Sequence, residues 1–149
     1  MDVRIEVPTS SIERKDFRAR FYLRYIAIQA MLIKGTVVHL FTGGDDNAVH
    51  LNEVTFGTNI TCKPLASVLN AHTSTITGVL ILGNGQYLSV GSDQRIRIWE
   101  FDGAKLICLY SGYTFGPDVC GVVEIGVRLG KRRFVVFGTG MEMIAWDGL

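Results

Sequence analysis

Leu88–Phe101 reads LSVGSDQRIRIWEF. A strand-like run leads into a polar turn at Gly91–Gln94, and the alternation Arg95, Ile96, Arg97, Ile98 then ends on Trp99. Period-two alternation marks a strand whose two faces meet different surroundings. The unit is not unique. Trp146 lies 47 residues after Trp99, and Asn52 lies 47 before it. The same step links Gly44, Gly91 and Gly138, Asp46 with Asp93, and Thr42 with Ser89. Aligned, the segments read TGGDDNAVHLNEV, SVGSDQRIRIWEF and VFGTGMEMIAWDG. The unit occurs three times at one period.

A period slightly above roughly 40–45 residues, with four strands per unit, is the mark of a propeller blade. Around Trp99 the expected strands are Ile76–Leu82, Tyr87–Gly91, Arg95–Phe101 and Lys105–Tyr110. Asn84-Gly85 supplies a favoured hairpin turn. One period earlier they become Gln29–Gly35, Val37–Gly43, Ala48–Val54 and Ile60–Leu69; one period later Val119–Val127, Arg133–Thr139 and Met141–Trp146. A helix over Ser11–Ile33 competes, but β-branched and aromatic content and the repeat register favour strands there. The expectation is an all-β partial propeller of about three four-stranded blades, not closed on its own. It divides into an N-terminal segment 1–16, a degenerate blade 17–69, a complete blade 70–112 and an incomplete blade 113–149.

Composition narrows the class. The 149 residues are 48% hydrophobic and 19% charged, with a net charge of +1. That describes a folded chain with material for one core and no bulk attraction to nucleic acid or anionic membrane. Charges at Asp2, Arg4 and Glu6 do not suit a secretory signal. The apolar run Phe21–Ile33 is broken by Arg24 and is short of the roughly 20 residues a membrane span needs, so no membrane insertion is expected. Cys62, Cys108 and Cys120 are odd in number and widely spaced, which argues against a disulfide framework or a metal site and for a reduced, cytoplasmic setting.

The chemistry-bearing residues of the middle unit are His72, Ser89, Asp93 and Trp99. A buried indole N–H needs an acceptor and a buried carboxylate needs donors, so the group is stable only as a complete network. A Ser-His-Asp set is also the inventory of a catalytic triad, but no nucleophile elbow or oxyanion hole accompanies it. The four residues resemble the relay of the WD-repeat family, in which Asp accepts from His, His contacts Ser, and Ser contacts the Trp N–H. The flanking units are degenerate. The first keeps Thr42 and Asp46 but has Asn52 for Trp; the last keeps Trp146 and Asp147 but has Gly140 for Asp and Val136 for Ser. Both are expected to hold by strand packing alone.

The last half carries a closer resemblance. AHTSTITGVLIL, SDQRIRIWEF, Pro117-Asp118-Val119 and Gly138-x-Gly140-x-Glu142 are similar to the C-terminal end of WD-repeat partner subunits of the tRNA ribose 2′-O-methyltransferase that modifies the anticodon wobble nucleotide. The resemblance implies a non-catalytic scaffold that binds the methyltransferase and helps place tRNA, while S-adenosylmethionine belongs to the partner. It also admits a scaffold in endosomal recycling. Those subunits are several times longer, and closed propellers use about 4–8 blades. The chain is therefore expected to be the C-terminal piece of a longer protein whose remaining blades complete the ring, or a truncated reading frame.

Loops before the inner strand and between the second and third strands emerge at one end of a blade. Thr73, Ser74, Thr75, Gln94 and Arg95 are thus a candidate interaction surface. Arg128, Lys131, Arg132 and Arg133 form one basic cluster, and Arg14, Lys15, Arg18, Arg20 and Arg24 another. Either suits RNA phosphates, although a basic turn is more simply a solvated hairpin that discourages edge pairing. His39 and His50 lack ligand spacing and are expected to pack or face solvent. No catalytic set, metal set or Gly-rich cofactor loop is read.

Overall fold

The computed structural model describes residues 25–148. The N-terminal segment 1–16, the basic cluster of Arg14, Lys15, Arg18, Arg20 and Arg24, and the strand reading of 11–24 lie outside the described residues. Eleven strands follow in meander order: β1 Tyr25–Lys34, β2 Val37–Gly44, β3 Val49–Thr55, β4 Thr61–Val68, β5 Ile76–Gly83, β6 Gln86–Gly91, β7 Arg95–Phe101, β8 Leu106–Tyr113, β9 Gly121–Arg128, β10 Lys131–Phe137 and β11 Met141–Trp146. They form three antiparallel sheets, β1-β2-β3-β4, β5-β6-β7-β8 and β9-β10-β11, here sheets 1, 2 and 3. The inner strands β1, β5 and β9 lie side by side. The result is an open, partial WD40-type β-propeller.

The turns explain the tightness of the repeat. Asn84 and Gly85 both adopt positive φ (51° and 75°), and so do Leu129 and Gly130 (54° and 75°). This is the primed turn whose twist matches its flanking strands. Pro64, which has no N–H to donate, sits on β4, the outer strand of sheet 1, next to a register break opposite Leu51/Asn52. Strand β8 continues past its expected end at Tyr110. After a bulge opposite Ile98/Trp99, Gly112 and Tyr113 still pair with Ile96 and Arg95.

Alternation along each strand sends side chains to two separate cores. Sheet 1 contributes Phe41, Val49 and Leu51 to a core shared with Val79, Tyr87 and Trp99 of sheet 2. The other face of sheet 2 brings Leu88, Val90, Ile96 and Ile98 against Val122, Phe134 and Val136 of sheet 3, with Ile144 and Trp146 packed at the edge. Strands β5–β7 of sheet 2 are therefore covered on both sides while the outer strand β8 stays largely exposed, and all six residues of β6 are buried. Tyr87 anchors the first core: its ring lies 4.9 Å from that of Phe41, and its hydroxyl is 3.0 Å from His39 Nδ1. Burial raises the Tyr87 phenol above its ordinary range. His39 thus ties two sheets together.

Candidate functional site

The meander places every second turn at the same end of the stack. Residues 69–75, 92–94 and 114–120 are connections at one end, and the Asn84-Gly85 and Leu129-Gly130 turns are at the other.

At the first end the structure brings His72, Ser89, Asp93 and Trp99 into one chain of hydrogen bonds. Trp99 Nε1–H donates to Ser89 Oγ at 2.9 Å. Ser89 Oγ lies 2.8 Å from His72 Nε2, and His72 Nδ1 lies 2.9 Å from Asp93 Oδ1. An indole N–H only donates and a carboxylate only accepts, so the direction is fixed. Ser89 O–H donates to Nε2, and a neutral His72 donates from Nδ1 to Asp93. Asp93 also accepts from the backbone N–H of Thr73 at 2.9 Å and of Arg95 at 3.2 Å. Close approach needs Gly91: a Cβ there would meet His72 Nδ1 and Thr75 O at 2.9 Å each. Ser89 and His72 are buried and already committed, so this set presents no nucleophile to solvent.

Burial, the largest influence, lowers the His72 pKa from its ordinary 6.5, against the opposing hydrogen bond and charge of Asp93. For Asp93, burial acts to raise the carboxyl, but bonds from His72 and the Thr73 and Arg95 N–H groups together outweigh it and hold the carboxyl below its ordinary 3.8. Both folded-state values lie below the unfolded ones. In each window between them the unfolded chain binds the extra proton, so stability is full above the unfolded value and falls on acidification. Stability should therefore decline as pH drops below about 6.5, and decline again below the ordinary carboxylate range. His72→Gln should flatten the first decline in thermal melts between pH 7 and 5. Parallel profiles for the two proteins would exclude His72 as the titrating group.

The flanking sheets depart from the expectation of packing alone. Asp46 does not join a Thr42 relay. It accepts from the Ala48 N–H at 3.2 Å and lies 3.0 Å from His50 Nε2, while His50 Nδ1 is 2.9 Å from Ser67 Oγ. Thr42 Oγ1 is buried without a partner among the described residues, and Asn52 stands where sheet 2 has Trp99. His50 was legible only through its strand register opposite Ser67. Sheet 3 reverses the polarity of the tie. Here the carboxylate sits on the loop, and Thr139 Oγ1 of the turn donates to Asp118 Oδ2 at 3.2 Å. Glu142 accepts from the Phe115 N–H at 2.8 Å, and the Cys120 N–H donates to Phe137 O at 2.8 Å. Pro117-Asp118-Val119 and Gly138-x-Gly140-x-Glu142 thus form one interlocked unit. Trp146 packs 5.3 Å from Tyr110 between ring centroids, and its Nε1 is buried without a partner among the described residues.

The expected surface residues share this end, but several are committed to holding it. Thr75 Oγ1 donates to Asp45 Oδ1 at 3.1 Å, joining sheets 2 and 1. Thr75 O accepts from the Ser92 N–H at 2.9 Å, and Gln94 O accepts from the Thr114 N–H at 2.8 Å. Thr73 is exposed; Ser74 and Gln94 are half-buried. Arg95 stacks over the Tyr113 ring, 4.5 Å from its centroid, and bonds its hydroxyl at 2.5 Å. Tyr113 is 68% exposed and Phe115 92%. Sequence reasoning missed both aromatics, because an apolar residue near a strand end does not announce which face it takes.

At the other end the basic cluster is partly neutralised. Lys131 pairs with Asp147 at 2.8 Å and Arg132 with Glu124 at 3.2 Å. Arg133 Nε is buried without a partner among the described residues, and Arg128 is exposed. A groove of about 610 Å³ opens beside β11, lined by Ile98, Leu109, Tyr110, Ile144 and Trp146 among others. Among the described residues there is no group of three or more His, Cys, Asp or Glu side chains able to hold a metal, and no helix long and apolar enough to cross a membrane.

Residues 62–100 match the family model for the WD domain, G-beta repeat. The match begins in β4, the outer strand of sheet 1, and ends in β7, so the repeat read along the chain straddles two sheets. The chain carries a WD40 repeat. It is also similar to Protein HIR1 of Kluyveromyces lactis, with 33% identity over 89 residues. That stretch is 59% of this chain and 9% of the relative, so the chain spans only a small fraction of that protein's length.

Proposed function

We propose that the chain is a non-catalytic protein-interaction scaffold that binds its partner through the relay-loop end of sheet 2. The observation that carries this reading is the Arg95–Tyr113 stack at the ends of β7 and β8, with the exposed Phe115 just beyond it on a loop held by the Thr114–Gln94, Phe115–Glu142 and Asp118–Thr139 hydrogen bonds. Aromatic and arginine side chains dominate binding energy at protein interfaces, and pre-ordered loops lose little entropy on docking.

The finer reading, support of tRNA 2′-O-ribose methylation at the wobble position through a bound methyltransferase, rests on the interlocked Pro-Asp-Val and Gly-x-Gly-x-Glu motifs. In this reading S-adenosylmethionine and the chemistry belong to the partner, and tRNA joins through the complex. Affinity capture of the tagged chain from cell extract tests both levels. Recovery of a tRNA 2′-O-methyltransferase with tRNA is expected, with loss on Arg95→Glu or Phe115→Ala. Binding that survives those changes but fails on charge reversal of Lys131 and Arg132 would place the contact at the opposite end. Recovery of other proteins without methyltransferase or tRNA would leave a scaffold and remove the methylation role.

A further inference from the structure

The groove beside β11 lies between sheets 2 and 3, and the preceding contact, between sheets 1 and 2, shows why it is there. In that contact His39 and Glu53 stand opposite each other on β2 and β3. His39 meets the Tyr87 hydroxyl of sheet 2 at 3.0 Å, and Glu53 lies 3.9 Å from His39 Nε2. One 47-residue period later the pair becomes Gln86 and Glu100, opposite each other on β6 and β7. Tyr87 becomes Phe134, which has no hydroxyl, and its ring partner Phe41 becomes the smaller Leu88. The second contact therefore lacks both the bond and part of the filling that the first possesses. Phe134 lies on β10, the middle strand of sheet 3, so the vacancy is set inside the contact and not at the outer edge of either sheet.

Gln86 is 9% exposed and Glu100 half-buried. Neither side chain has a hydrogen bond or ion pair among the described residues. Both line the groove, whose volume of about 610 Å³ falls within the roughly 300–1,000 Å³ usual for ligand sites. Ile96, Ile98 and Ile144 give it an apolar floor, and the rings of Tyr110 and Trp146 stand beside them. No Lys, Arg or His side chain lines it among the described residues, and the other carboxylate there, Asp147, is held by Lys131. An unpaired carboxylate beside an amide oxygen, with aromatic rings near, suits a guanidinium. Its planar fork donates to both acceptors at once and stacks on rings, which an ammonium does less well. Ile96 lies four steps along β7 from Glu100, about 13 Å at about 3.3 Å per residue. That floor is longer than one side chain can cover.

We propose that the groove receives an arginine of a partner polypeptide. Its guanidinium sits between Gln86 and Glu100, and apolar neighbours in the same segment lie along Ile96, Ile98 and Ile144. The contact is separate from the loop end of sheet 2 and does not rest on it.

Titration of the full chain with acetyl-Arg-Leu-Leu-amide tests this, followed by the two indole N–H resonances, which Trp99→Phe assigns. The Trp146 signal should shift saturably while that of Trp99, buried against sheet 1, stays. Glu100→Gln should raise the dissociation constant roughly 10-fold or more, as loss of a hydrogen bond to a charged group does. Citrulline in place of the arginine, which keeps the shape and removes the charge, should do the same. Agmatine, the same cation without the peptide, should bind more weakly than the tripeptide. Arg95→Glu, at the loop end, should leave the constant unchanged. Four results would each overturn the proposal: no saturable Trp146 shift, a citrulline peptide that binds as well, agmatine that binds as tightly, or a constant indifferent to Glu100→Gln.

Discussion

Trp99→Ala should destabilise the chain by about 3–5 kcal/mol, the range for truncating a buried large aromatic. Trp99 is 2% exposed and shares its core with Phe41, Leu51, Val79 and Tyr87. The change opens a cavity between sheets 1 and 2. It also removes the donor to Ser89 Oγ and the ring above which the Arg97 guanidinium sits at 5.9 Å. Trp99→Phe separates these effects. It keeps most of the apolar contact and leaves one buried acceptor unserved, for about 1–3 kcal/mol. Urea unfolding followed by circular dichroism gives both values. Losses below about 1 kcal/mol for both variants would show that Trp99 neither fills the core nor ends a stabilising relay.

Gly138→Ala should cost about 1–3 kcal/mol, the usual penalty for forcing atoms into filled space, or more if the loop is expelled. A Cβ at Gly138 would lie 2.1 Å from the Asp118 carbonyl oxygen, a backbone atom that no side-chain rotation can move. Relief requires the 114–120 loop to lift, breaking the Asp118–Thr139 and Phe115–Glu142 bonds. Gly140, two residues on in the same motif, has nothing within 4 Å of such a Cβ, so Gly140→Ala should be close to neutral. Equal melting temperatures for the two variants would mean that the motif does not lock the loop. The pair bears on the proposed binding surface, because Phe115 rides on that loop.

Repetition alone determined the architecture. A 47-residue step that superimposes glycine, carboxylate and tryptophan positions fixes strand order, turn placement and the number of units, because each unit obeys the same local physics. The His72–Ser89–Asp93–Trp99 relay was legible for the same reason: a buried donor and a buried carboxylate have few other ways to be satisfied. What the repeat could not show is how the degenerate units compensate. Asp46 turns to His50, and Asp118 takes the capping role from the loop side. Both depend on which side chains stand opposite across strands that are distant in sequence. Tertiary structure likewise decided that Tyr113 and Phe115 are exposed while Tyr87 is buried. All three are aromatics at or near strands, and nothing local distinguishes them. The difference is that neighbouring sheets cover both faces of β6, whereas the end of β8 and the connection after it project past the strands at the loop end, beyond the cover of either sheet.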